Sequence, residues 1–132
     1  MEDYIFIEYD RILQLNRLAA KTYGGIYGVR DQTLVESAIN QPKTTFDGKY
    51  LHPNIYEMAA AYFYHISENQ GFLDANQRTG FLAMFSFLKL NGYDFIITIE
   101  YLWSELMDIA SKKLSKERLS QFIMQNTTQL KN

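Results

Sequence analysis

The sequence predicts an all-α domain, a compact bundle of about six helices, and three observations carry that expectation. Apolar residues recur at helical spacing through most of the 132 residues. Two segments of helix length, 54–69 and 78–92, are apolar on nearly every side, as buried central helices are. Clusters of Gly, Pro and Asn punctuate the chain between the periodic runs.

Taken in order, "YIFIEY" at 4–9 is aromatic and β-branched, fitting a short strand or an extended lead-in. From Asp10, the residues Ile12, Leu13, Leu15, Leu18 and Ala19 suit one helical face, which "TYGGIYGVRD" breaks. Asp31 is a good N-cap for a helix over 32–41, where Leu34, Val35, Ala38 and Ile39 recur at helical spacing and which stops at Pro42. Residues 42–53 have loop character, and Pro53 suits the first turn of the following helix. The second central helix starts at Arg78 and stops at Asn91-Gly92. "YDFII" reads as extended, followed by amphipathic helices over 100–113 and 115–125, the latter capped by Ser115. Residues 1–126 make one domain, and 127–132 form a polar tail expected to fray.

Composition excludes several functional classes. A 47% hydrophobic fraction opposes disorder, and a net charge of −2 opposes broad electrostatic binding of nucleic acid. Without cysteine there is no disulfide and no thiolate metal site. The acidic start "MEDYIFIEYD" lacks the pattern of a secretory signal, and no apolar run has the length of a membrane span. A cytoplasmic protein, with no direct contact to nucleic acid or membrane, is expected.

Chemistry concentrates in "NQGFLDANQRTG", residues 69–80, between the two apolar helices. A helix N-terminus offers free N–H groups and a positive dipole end, so anions settle there. Ala75 and Asn76 open the second helix, and Arg78 adds a rigid fork of donors suited to phosphate oxygens. A carboxylate beside such a site, here Asp74, suits Mg2+, which takes few protein oxygens and completes its shell with phosphate and water. Phe72 would point inward and anchor the turn. The plainer alternative is that Asp74 caps the helix while Arg78 pairs with Glu68 or Asp74.

The same stretch resembles the signature of the Fic/Doc family in its Doc (death-on-curing) toxin branch. That signature reads approximately His-x-Phe-x-Asp-(Gly/Ala)-Asn-Lys-Arg-Thr, and Gln70 to Thr79 stand in its place. "YGGIYGVRDQTLVESAINQP", "YEMAAAYFYHISEN", "FLKLNGY" and "SKERLSQFI" also resemble Doc segments, in order and at matching separations. The resemblance implies a Fic/Doc-type helical bundle and a transferase that moves a phosphoryl or nucleotidyl group from ATP or another nucleotide to a protein hydroxyl. In Doc-like members the implied target is elongation factor Tu, and the implied partner is a Phd-like antitoxin. By the same resemblance Asp74 holds Mg2+, Ala75, Asn76, Gln77 and Arg78 form the phosphate site, and Phe72 is the anchor. Phe81 replaces a second family arginine that Doc-branch members also lack. The inhibitory pattern Ser/Thr-x-x-x-Glu-Gly/Asn is not found, so inhibition is expected from a partner.

Both departures from the signature are glutamines. Gln70 takes the place of the histidine that accepts the proton of the target hydroxyl, and an amide cannot accept that proton at neutral pH. A positioned general base contributes about 10²–10⁴ in rate. Gln77 replaces a lysine near the phosphates and so loses a charged contact. An inactive or strongly impaired transferase is expected; the alternative is a non-catalytic module that binds an antitoxin or another protein. His65, about 500° around its helix from position 70, faces elsewhere and reads as a core or groove residue. His52 needs no catalytic reason to stand before a helix. Trp103, Leu102, Leu106 and Ile109 read as core, or as a groove for a partner helix.

Overall fold

The computed structural model describes residues 3–113 and 115–130. Six α-helices make up its frame: α1 (Tyr9–Tyr23), α2 (Gln32–Asn40), α3 (Ile55–Asn69), α4 (Asn76–Leu90), α5 (Ile99–Lys113) and α6 (Lys116–Gln125). The all-α expectation holds. Short strands β1 (Thr45–Phe46), β2 (Lys49–Tyr50), β3 (Tyr93–Phe95) and β4 (Thr127–Gln129) form two antiparallel pairs, β1–β2 and β3–β4.

Helix α3 is the centre, packed against α2, α4 and α6. Met58, Ala59, Ala60, Tyr62 and Phe63 on α3 are wholly removed from solvent, as are Met84, Phe87 and Leu88 on α4. Each such large apolar side chain contributes about 1.5–3 kcal/mol by its burial. Gly80 sets how closely the central helices approach, since a Cβ there would stand 3.0 Å from the Phe63 carbonyl oxygen and 3.1 Å from Ser67 Oγ. Side chains start three of these helices by accepting free first-turn N–H groups: Asp31 from Leu34, Asn54 from Glu57 and Ser115 from Arg118.

Several elements differ from expectation for local reasons. Residues 4–8 belong to neither helix nor strand, and only Glu8, at the start of α1, is described as extended. Instead Ile7 N donates to the buried Tyr62 Oη at 3.0 Å, and the Asn91 side chain bonds both Ile5 N and Ile5 O. Leu18, expected inside, is 54% exposed; the inward stripe of α1 runs through Ile12, Leu15, Asn16 and Ala19. Pro53 precedes the cap Asn54 rather than entering the helix, because the Asn54 side chain takes the capping position and bonds Glu57. The loop 42–53 contains a hairpin whose two turn residues, Asp47 (φ 52°) and Gly48 (φ 75°), are left-handed. Such a turn matches the twist of the strands it joins. Residues 127–129 do not fray but pair with β3, while 131–132 lie outside the described residues. Among the described residues no helix is long and apolar enough to cross a membrane.

Candidate functional site

The turn between α3 and α4 is pinned at both ends by left-handed residues, Gln70 (φ 54°) and Ala75 (φ 62°). Outside glycine this conformation costs on the order of 1–2 kcal/mol, so the surroundings must hold it. They do so through the segment after α1. Arg30 N and Asp31 N donate to the Gly71 carbonyl, Leu73 N donates to the Gly28 carbonyl, and Val29 and Phe72 form an isolated β-bridge. The Arg30 guanidinium adds a bond from Nε to the Gln70 carbonyl at 2.9 Å.

Within the turn, Asn76 closes a ring of its own: its Oδ1 accepts from Phe72 N at 3.0 Å and its Nδ2 donates to Phe72 O at 3.2 Å. The Asn76 side chain is therefore occupied in shaping the turn, and only its backbone faces the function expected of it. Phe72 lies in the core at 2% exposure. Asn16, 1% exposed on α1, joins three elements: Nδ2 donates to Asp74 O and Thr79 Oγ1, both at 3.1 Å, and Oδ1 accepts from Gly28 N.

Helix α4 begins at Asn76 with no side chain capping it, so its first N–H groups remain available to an anion. Ala75, in the capping position, has no side-chain oxygen to offer. Asp74 does not cap α4 either; its Oδ2 accepts from Ile26 N at 2.8 Å. That contact requires Gly25, whose φ is +112° and whose substitution would place a Cβ 2.9 Å from Asp74 Cβ. The surface ion pair offered as an alternative for Arg78 is not formed. Its guanidinium carbon lies 3.8 Å from the Tyr23 ring centroid and 3.5 Å from that of Trp103.

These groups share one cavity of about 340 Å³, lined by Gln70, Leu73, Asp74, Ala75, Asn76, Gln77, Arg78 and Trp103. Cavities of about 350 and 360 Å³ occur elsewhere, so composition rather than size distinguishes this one. This one combines a helix N-terminus with a carboxylate and a guanidinium, whereas those two have an arginine and no carboxylate. The Gln70 amide folds back on its own helix, Nε2 donating to Ser67 O at 3.0 Å. Among the described residues no three His, Asp or Glu side chains are grouped to hold a metal. Asp74 is the carboxylate lining the cavity, so a Mg2+ ion bound there would have to take its remaining ligands from phosphate and water.

Neither histidine lines this cavity. His52 Nε2 and His65 Nε2 converge instead on Lys116 Nζ, at 3.3 and 3.1 Å. Burial, the Lys116 ammonium and His52 push His65 down to about 4, and burial and Lys116 lower His52 as well. Leu102, Leu106 and Ile109 are core, but Trp103 is only partly buried, edge-on to Phe81 and facing the cavity. Asn16, Tyr23 and Arg30 are site residues that the sequence analysis did not single out. Asn16 had a signal, a polar residue on the same stripe as Ile12 and Ala19; Arg30 and Tyr23 had none.

Comparison with known families agrees with this architecture. The Fic/DOC family model matches residues 6–88, more than half of the chain, and the chain belongs to that family. Among individual proteins, Toxin Doc of Mycolicibacterium smegmatis is 34% identical over 70 residues, which make up 53% of this chain and 54% of that protein. The chain thus spans about half the length of this curated relative.

Proposed function

We propose that this protein is a Doc-like toxin of a toxin–antitoxin pair, acting in the cytoplasm, whose site binds the phosphates of ATP or another nucleotide. The observation that carries the reading is the uncapped start of α4 opening beside Asp74 and Arg78 in one cavity. Free N–H groups and the helix dipole receive phosphate oxygens, and the Arg78 fork adds charge-assisted bonds. Mg2+, held by Asp74, would neutralise phosphate charge. The similarity to a protein named Toxin Doc supports the toxin assignment.

In the reaction of this site, a target hydroxyl oxygen bonds to phosphorus as the rest of the nucleotide departs, and the hydroxyl proton must go to a base. Gln70 stands where that base is needed, and its amide is turned towards Ser67. Transfer is therefore slower than with histidine by about 10²–10⁴, while phosphate binding persists. The folded-back amide also favours a second reading, a non-catalytic module that engages a Phd-like antitoxin through its surface. Elongation factor Tu is the target proposed for the catalytic reading.

Expression of a Gln70→His, Gln77→Lys variant without antitoxin tests the first reading. Growth arrest that is absent for the unaltered protein supports it. Normal growth with abundant soluble variant contradicts it and leaves the binding module.

A further inference from the structure

Arg78 is the cation on which the phosphate reading depends, yet no carboxylate holds it. Among the described residues the ion pairs are Lys89–Asp94 and Lys112–Asp108, and Arg78 belongs to neither. Two aromatic rings hold it instead, Tyr23 at the end of α1 and Trp103 on α5. We infer that Tyr23 and Trp103 are positioning residues that clamp the Arg78 guanidinium by its faces and leave its N–H donors for a phosphate.

The physical case begins with what a carboxylate partner would do. An acidic neighbour would neutralise the guanidinium and occupy its N–H donors, and a phosphate would have to displace it. A ring attracts the cation through its face and takes up no in-plane donor. The clamp thus orders the side chain without satisfying its hydrogen bonds. Ordering a long, flexible side chain in advance removes a cost otherwise met at binding, equivalent to about 2- to 12-fold in affinity.

The rings are themselves placed by the fold. Trp103 packs edge-on against Phe81, 5.4 Å between centroids, and Phe81 lies one helical turn from Arg78 on α4. Tyr23 ends α1 immediately before the Gly24–Gly25–Ile26 segment whose Ile26 N–H binds Asp74. Both the carboxylate and the guanidinium of the cavity therefore take their positions from the end of α1. The α5 helix, outside the region matched by the family model, supplies the other half of the clamp.

This inference rests on the phosphate reading, and the test separates the two. Binding of ATP with Mg2+ is measured by equilibrium dialysis for the unaltered protein and for Arg78→Ala, Trp103→Leu, Trp103→Phe and Tyr23→Leu, with thermal melting as a check on the fold. Leucine keeps part of the apolar bulk but has no ring face, so Trp103→Leu should bind about 3- to 10-fold more weakly at a temperature where melting shows the variant, less stable for its lost contact with Phe81, still folded. Trp103→Phe should recover most of that loss, which a purely space-filling role would not require. Tyr23 is 55% exposed, so Tyr23→Leu can be made without disturbing the core and should weaken binding in the same sense. Binding lost in Arg78→Ala but unchanged in both leucine variants overturns the clamp alone. No binding by the unaltered protein overturns the phosphate reading and the clamp with it.

Discussion

Among the described residues, Asn16 should be the most sensitive polar one, because its side chain joins α1, the loop after it, the turn and α4. Consider Asn16→Leu, a replacement of similar size without hydrogen-bonding atoms. It strands the Gly28 N–H and the Asp74 carbonyl, which bond to Asn16 at 3.0 and 3.1 Å. The Thr79 hydroxyl is less affected, since it still donates to Ala75 O at 2.7 Å. Each stranded, partly buried group costs about 1–1.5 kcal/mol, near the low end of the range for unsatisfied partners, so the loss is about 2–3 kcal/mol. For a domain of this size that corresponds to a fall in Tm of roughly 6–12 °C. Urea unfolding followed by far-UV circular dichroism measures it, and hydrogen exchange at the Gly28 amide should quicken. A loss below about 0.5 kcal/mol, the level of an ordinary surface substitution, would refute the claim that Asn16 ties the turn to α1.

Other expectations are narrower. Tyr62→Phe removes the acceptor for the buried Ile7 N–H and should cost about 1–2 kcal/mol in chemical denaturation, with the N-terminal segment exchanging faster. Ala75→Gly relieves a left-handed alanine at φ 62°, partly offset by greater freedom of the unfolded chain, so stability should rise by about 0.5–1 kcal/mol. His65 is lowered from 6.5 to about 4 in the fold, so the unfolded chain binds its proton first as pH falls. Its contribution is therefore complete above 6.5 and is lost on acidification towards 4, and melting temperatures across that window should fall less steeply in His65→Phe.

How much of this could be read beforehand depends on the range of the forces involved. The helices followed from local periodicity, and the caps Asp31 and Ser115 from one residue type at one position. The hairpin at 45–50 had its signal in Asp47-Gly48, but its strands are only two residues each and carry no alternation to detect. Strand β4 was invisible because Thr127–Gln129 gains its order from β3, more than thirty residues away. The turn itself was legible from Asp74, Asn76 and Arg78 as a polar stretch opening a helix. What each side chain does there was not. Asn76 bonds the Phe72 backbone four residues away, a local contact that its residue type does not announce, whereas Asp74 faces Ile26 and Arg78 rests between Tyr23 and Trp103, contacts set by tertiary packing rather than spacing. Trp103 could be placed on an apolar helix face, but not at its edge, where the same residue meets both core and cavity.

Calorimetric titration of ATP with Mg2+, into the unaltered protein and into an Asp74→Ala, Arg78→Ala variant, tests the central claim most directly. The account predicts saturable binding by the unaltered protein and at least about 10-fold weaker binding by the variant, the loss expected when a charge-assisted contact is removed. Equal binding by the two proteins, or none by either with both folded, would contradict it: the start of α4 would then be only a turn between helices.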